Sequence, residues 1–220
     1  MTKRLFDILI ATSSLVLLSP VVFLVALGVK LTSPGPVLFN HTRVGLGRKP
    51  FGCLKFRTMV KDAEEWLRRD SHLNSVYREN GFKVPTRADP RVTTFGQILR
   101  RTHLDELPQL INVIKGDLSI VGPRPIVFEE LDCFAGSDVD RLLSVRPGIF
   151  GVWTAMGRDR VNYPERAHVE LSYLDHRSVL LDLAILFRHV PVLLKGQPHE
   201  SPATKSKPSR LSSSLNPRSK

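Results

Sequence analysis

The chain has 220 residues, enough for one compact domain with appendages, and a formal net charge of +11 that is unevenly spread. Residues 1–61 carry nine Lys/Arg against one Asp, and residues 196–220 carry five against one Glu, which leaves 62–195 at −1. Basic charge gathered around an apolar segment and in a tail fits an anionic membrane surface and excludes a nucleic-acid binder with a basic body, and no stacking box, zinc finger or basic recognition helix is present.

From Ile8 to Val29 there is no charged residue, a run of 22 that reaches the ~20 a spanning helix needs. Lys3 and Arg4 supply the basic start of a signal peptide, but the run is too long and no small-x-small cleavage site follows it. Ser19-Pro20 interrupts the run. Proline removes a backbone donor and crowds the carbonyl four residues back, so the helix should kink there, and the serine hydroxyl can bond a carbonyl freed by the break. Lys3 and Arg4 before the run, and Lys30, Arg43, Arg48, Lys49 and Lys55 after it, give both ends the charge that marks a cytoplasmic side. A re-entrant helix-break-helix over residues 1–32, dipping into the bilayer and returning to the same face, satisfies both ends. A spanning helix satisfies one, although such helices also contain proline.

Ser33-Pro-Gly-Pro36 ends the segment with turn chemistry. Val37–Phe39 reads as a short strand and Phe51–Thr58 as a second. The alternation puts Lys55 and Arg57 on one face, and two solvated charges on an edge strand are the plainer alternative. Between them, Arg43–Lys49 holds Gly45 and Gly47 among basic residues, a weak phosphate-loop signal without P-loop or dinucleotide spacing. Residues 60–80 read as one charged helix with Trp66, Leu67, Leu73 and Val76 on its apolar face. Pro85–Thr94 reads as a loop and Phe95–Arg101 as a helix.

Thr102-His-Leu-Asp-Glu-Leu-Pro-Gln109 places two adjacent carboxylates, Asp105 and Glu106, among Arg and Lys in a chain with a membrane-length apolar segment. Carboxylates beside lipid are costly to keep, and binding and attacking a phosphate is a use for them. Pro108 is tolerated only in a first turn, so a helix is expected from near Asp105 to Gly116. An N-capping Asp105 with Glu106 as a first-turn acid is the ordinary alternative. In Ser119-Ile-Val-Gly-Pro-Arg-Pro125 two prolines hold Arg124 in a rigid loop suited to bidentate phosphate recognition. Arg146-Pro-Gly-Ile-Phe-Gly151 is another turn carrying an Arg, and Trp153 reads as part of a half-buried strand. Val179–Leu194 is too interrupted to span, and an interfacial helix and a core helix both fit it. Residues 197–220 are a basic Ser/Pro/Lys tail without periodicity, expected to be disordered. Cys53 and Cys133 are too far apart for a metal-ligand pair and too few for a disulfide scaffold, so both read as reduced thiols. The seven histidines show no metal-ligand spacing.

The Ser-Pro-broken helix, Lys55-Phe-Arg-Thr-Met59, Leu104-Asp-Glu-Leu-Pro-Gln-Leu110 and Gly116-Asp-Leu-Ser-Ile-Val-Gly-Pro-Arg-Pro125, in that order, resemble the bacterial sugar transferase family, the monotopic phosphoglycosyl transferases. The likeness covers residues 3–195 and is nearest to short members that start exopolysaccharide repeat units on undecaprenyl phosphate. It implies an α+β, mainly helical fold with short strands: a membrane-associated monotopic domain entered by a re-entrant helix broken at Ser19-Pro20. A cytosol-facing catalytic domain with interfacial helices would follow over 33–196, at the cytoplasmic face of the bacterial inner membrane.

The resemblance also implies a two-step, Mg²⁺-dependent reaction. Asp105 would attack the β-phosphorus of a UDP-sugar, expel UMP and form a phosphosugar-aspartyl intermediate, from which undecaprenyl phosphate takes the phosphosugar. Covalent catalysis divides one hard displacement into two easier ones, and metal and fixed cations offset the repulsion between carboxylate and phosphate. Asp105 would also contact the metal, Glu106 would be the second catalytic acid, and Lys55, Arg57, Arg124 and Arg146 would bind phosphate. The chain departs from the family after Gly148. Thr154 stands where many members have Gln, Met156 where a Ser precedes Gly157-Arg158, and an aromatic is missing near Tyr173–Arg177. Donor specificity therefore does not carry over, with galactose and glucose the leading options, and oligomeric state, a homodimer included, is left open. The competing classes are a catalytically silent scaffold, against which the intact carboxylate pair argues, and a lipid-surface hydrolase using the pair as acid and base.

Overall fold

The computed structural model of the chain describes residues 2–80, 82, 84–156, 163 and 165–195. Gly157-Arg158 and the tail from Gln197 lie outside the described residues. Within them the fold is mainly helical with short strands, an α+β arrangement.

Helix α1 (Thr2–Leu17) and helix α2 (Ser19–Thr32) meet at a bend of 65°. Pro20 has no N–H to give the carbonyl of Val16, four residues back, and the Ser19 hydroxyl donates to that carbonyl instead at 2.8 Å. Neither helix alone is long and apolar enough to cross a membrane. The far ends of the pair rest on one body. On α1, Lys3 donates to the Val121 carbonyl at 3.0 Å and pairs with Asp182, and Arg4 donates to the Val113 carbonyl at 2.6 Å. Asp7, only 3% exposed, accepts from the Ser119 hydroxyl at 2.8 Å and the Ile120 N–H at 3.0 Å. On α2, Val25 and Val29 pack with Phe56 and Leu99, and a Cβ at Gly28 would stand 2.5 Å from the ring of Phe95. Around the bend, Val16, Leu17, Phe23 and Leu24 are exposed.

Strands β1 (Leu38–Val44) and β2 (Pro50–Phe56) form an antiparallel hairpin that pairs Phe39 with Lys55, His41 with Cys53 and Arg43 with Phe51. The first strand is longer than its sequence indicated and takes in Arg43. Gly47 (φ 63°) and Arg48 (φ 62°) make the turn. The expected helix over 60–80 is two helices, α3 (Ala63–Arg69) and α4 (Ser71–Glu79). Asp70 divides them, because its carboxylate caps α4 by accepting the Leu73 N–H at 2.9 Å.

Helices α5 (Thr94–Thr102) and α6 (Gln109–Lys115) flank the carboxylate pair. Beyond them come β3 (Ser119–Val121), α7 (Gly136–Leu142), β4 (Gly148–Phe150), α8 (Val152–Ala155), α9 (Glu165–His176) and α10 (Val179–Lys195). Strands β3 and β4 pair in parallel, Ser119 with Gly148 and Val121 with Phe150. The backbone of Val121 and Gly122 occupies the place a Cβ of Gly148 would need, so only glycine permits this approach. Trp153 lies in α8 and is buried, not in a half-buried strand, because the Thr154 hydroxyl accepts the Gly151 N–H at 2.9 Å and turns the chain into a helix.

One core cluster joins α1, α6, β3 and α10 through Ala11, Val113, Leu118, Ile120 and Ile185. A second gathers Val44, Ile126, Phe134, Leu142 and Leu171. Helix α10 buries Asp182, Ile185 and His189 and exposes Val179, Leu180, Phe187 and Val190.

Candidate active site

His103 ends α5 in the left-handed conformation, φ 58°, and turns the chain into a single 3-10 turn, Leu104–Glu106. Pro108 takes the position before α6, so that helix begins at Gln109 rather than near Asp105. A residue without an N–H suits that cap position. Asp105 is therefore not the N-cap of α6; it is held in the turn between two helices, 7% exposed.

Glu106 points to the hairpin. Its Oε1 accepts from Lys55 Nζ at 3.0 Å, both side chains being mostly covered. A cleft opens there, lined by Arg43, Lys55, Glu106, Gln109, Arg124 and Thr154. Because opposite partners in a ladder share a face, Lys55, Cys53, His41 and Arg43 all stand on one side of the hairpin. His41 registers the field there. Burial, then Arg43, Lys55 and Arg124, push its imidazole down to about 3, so it is neutral at physiological pH. Burial likewise pushes the Cys53 thiol up, against the pull of Lys55, Arg43 and Arg124.

Arg124 lies over the Trp153 ring at 5.2 Å, and its backbone N–H donates to Glu170 Oε2 at 3.1 Å. Glu170 is buried. Burial pushes its carboxyl up to about 7, despite the nearby Arg166 guanidinium and the bond from the Arg124 N–H. Arg166 stacks on Trp153 at 4.1 Å and Tyr163 at 4.7 Å and donates to Glu130 at 2.8 Å. Burial raises the Glu130 carboxyl, but Arg166, Arg124, the Val127 N–H and Arg43 outweigh it and hold it below the usual carboxylate range.

The structure thus brings Lys55, Glu106 and Arg124 to one cleft, with Asp105 next in the chain. Two other sequence candidates are placed elsewhere. Arg57 follows the last residue of β2, so strand alternation does not carry it onto the face of Lys55. Its guanidinium bonds the Ser33 carbonyl at 2.7 Å and the Pro36 carbonyl and ties down the turn after α2. Arg146 donates to the Gly116 carbonyl at 2.8 Å and closes the C-terminal end of α6. Neither is among the cleft residues. Sequence reasoning passed over Glu130, Arg166 and Glu170 behind the cleft. The four-residue spacing of Arg166 and Glu170 on α9 was the available signal, but it is also the spacing of an ordinary surface pair. It noted Arg43 only as one basic residue of a glycine-containing loop. Thr154, at the position of departure from the family, lines the cleft, and its hydroxyl lies 2.9 Å from His189 Nε2 of α10.

The sequence profile of the bacterial sugar transferases matches residues 1–196. The chain belongs to that family. This bacterial sugar transferase is 41% identical over 194 residues to the exopolysaccharide production protein ExoY of Rhizobium meliloti, covering 88% of this chain and 85% of the relative. It is 41% identical over 197 residues to the undecaprenyl-phosphate galactose phosphotransferase of Salmonella typhimurium, covering 88% of this chain and 40% of that protein. It is 39% identical over 192 residues to the UDP-glucose:undecaprenyl-phosphate glucose-1-phosphate transferase of Escherichia coli, covering 84% of this chain and 38% of that protein.

Proposed function

We propose that this sugar transferase moves a phosphosugar from a UDP-sugar to undecaprenyl phosphate through an aspartyl intermediate on Asp105, with release of UMP, as the first membrane step of exopolysaccharide or related glycan synthesis. The observation that carries the reading is the Lys55–Glu106 bond at a cationic cleft beside the buried turn of Asp105. The activities for which the Salmonella and Escherichia relatives are named are of the same kind.

In the first step an Asp105 carboxylate oxygen bonds to the β-phosphorus. The bond from that phosphorus to the bridging oxygen breaks, and its electron pair leaves with UMP. In the second, an oxygen of undecaprenyl phosphate bonds to the same phosphorus and the Asp105 carboxylate departs. Two unit charges 4 Å apart interact by about 4 kcal/mol at an effective dielectric of 20, so a carboxylate approaches a phosphate only among cations. Lys55 and Arg124 supply fixed ones. Glu106, held by Lys55, is placed to orient the reacting groups or accept a proton from the acceptor phosphate.

Mg²⁺ is usually held by one or two carboxylates with substrate phosphates and water, which the adjacent acids Asp105 and Glu106 suit. When bound, the ion neutralises charge on the phosphates.

The same proposal sets the protein at the cytoplasmic leaflet of the bacterial inner membrane. A crossing helix would put its ends on opposite sides of the bilayer, whereas Lys3, Arg4 and Asp7 rest on the same body as Val25 and Val29. The apolar bend between them supports a re-entrant insertion, with the exposed residues of α10 as an interfacial surface.

The test is UMP release by the detergent-solubilised protein with Mg²⁺, undecaprenyl phosphate and a panel of UDP-sugars, beside Asp105→Asn. Lipid-dependent turnover with one or more donors, lost in the variant, is expected. Release of free sugar phosphate without lipid, or an active Asp105→Asn, would overturn the reading.

A further inference from the structure

Arg43 is a cleft cation to which the reaction just described assigns no task. It is the last residue but one of β1, its side chain is 12% exposed, and it shares the hairpin face of Lys55. The residue opposite Lys55 is Phe39, four positions before Arg43, so the two cations are anchored roughly 13 Å apart along the strand at ~3.3 Å per residue. Both side chains turn into the one cleft. Lys55 holds Glu106 and so marks the end at which Asp105 attacks. Arg43 marks the other end.

The guanidinium there is oriented. Nη1 donates to the Pro125 carbonyl at 3.3 Å, in the loop that carries Arg124, and Nη2 donates to His41 Nδ1 at 3.1 Å. The neutral His41 accepts without adding charge. Glu130 lies 3.7 Å away, close enough to offset part of the charge but beyond a hydrogen bond. A guanidinium has five N–H donors, and among the described residues two are used in hydrogen bonds, which leaves three to offer a phosphate.

In-line displacement fixes what lies at that end. The leaving oxygen departs from the side of the phosphorus opposite the nucleophile. In the second step, Asp105 is the leaving group, so the attacking oxygen must come from that same opposite side. The departing nucleotide phosphate and the incoming lipid phosphate therefore use one position in turn. From these relations we infer that Arg43 binds that shared phosphate position, first the phosphate of the leaving nucleoside monophosphate and then the phosphate of the polyprenyl acceptor. The inference rests on the two-step reading above and adds a residue and a subsite to it.

The experiment compares the parent protein with Arg43→Gln and Arg43→Lys, using UMP as inhibitor and undecaprenyl phosphate as varied substrate. For the parent, UMP should compete with the lipid. For Arg43→Gln, the UMP inhibition constant and the lipid KM should both rise at least ten-fold and by similar factors, with Arg43→Lys recovering part of each. A purely structural role would lower kcat without moving the two constants together. Thermal melting of both variants reports their folding, and the lysine variant keeps the test open if the glutamine one is unstable. A change in only one constant, or in neither, overturns the assignment while leaving the reaction intact. A parent that releases no UMP from any donor overturns the reaction and the assignment with it.

Discussion

Lys55 donates to Glu106 across 3.0 Å, and that bond joins the strand hairpin to the turn that carries Asp105. Residues on two separate elements thus fix the geometry of the attacking end. Removing either partner should disturb the same step. Glu106→Gln and Lys55→Met are each expected to reduce turnover about 100-fold, the scale of a lost acid–base or charge contribution. Because the two are in contact, the double variant should lose much less than the product of the two factors. Steady-state UMP release from the four proteins checks this, and independent, multiplicative losses would show that the pair does not act as a unit.

Glu170 makes folding stability depend on pH. Burial pushes its carboxyl from 4.5 up to about 7 in the folded chain. Between those values the folded protein holds a proton that the unfolded chain has lost, so the contribution is full below the unfolded value and is lost as pH rises through the folded one. The parent should lose stability relative to Glu170→Gln from pH 5 to 8, by about 1 kcal/mol or more, since each tenfold difference in proton affinity is worth ~1.4 kcal/mol. Melting curves of the two proteins across that range measure the difference directly. A constant difference would place the carboxyl in its ordinary range.

Pro20 is the cause of the bend between α1 and α2, and Ser19 is what makes it tolerable in an apolar segment. Pro20→Ala restores a backbone N–H for the Val16 carbonyl to accept and should straighten the pair. In membranes, single cysteines at residues 2–4 of the parent should react from the same side as cysteines in the catalytic domain. In Pro20→Ala a fraction should move to the far side. Labelling of the parent's N-terminus from the far side would remove the re-entrant arrangement.

Asp7 fastens the first turns of α1 to β3. Asp7→Ala leaves the buried Ile120 N–H and the Ser119 hydroxyl without that carboxylate, at a cost of about 1–3 kcal/mol for each group left unpaired. Thermal melting in detergent should show a clear drop, accompanied by faster proteolysis near the N-terminus. Asp7→Asn, which keeps one acceptor, should fall between. An unchanged melting temperature for Asp7→Ala would mean that α1 is docked by apolar packing alone.

What could be seen in the sequence was what acts locally. A missing N–H at Pro20 and a hydroxyl at Ser19 operate within one turn, so the break was legible from the residues themselves. The length and interruptions of Val179–Leu194 indicated a helix too short to span, but not which of its residues would be buried. Elements decided by distant partners were not legible: β3 pairs with β4 across 29 residues because Gly148 admits a neighbouring backbone. Asp70 is local, but its capping of the Leu73 N–H was masked by a charge pattern that looks continuous. Arg57 and Arg146 have the residue type of a phosphate ligand, but the carbonyls they hold, at Ser33, Pro36 and Gly116, come together only in the fold. Arg43 was hidden for the opposite reason: its task follows from strand register, which a single sequence does not show.

The covalent step on Asp105 is the claim on which the rest depends. Intact-protein and peptide mass spectrometry after incubation with Mg²⁺ and an active UDP-sugar, without lipid, tests it directly. The account predicts a gain of one phosphosugar on the peptide containing Asp105, removed on adding undecaprenyl phosphate and absent in Asp105→Asn. Full lipid-dependent UMP release from a donor that never leaves an adduct on that peptide, even under rapid acid quench, would contradict it and point to direct transfer between the two substrates.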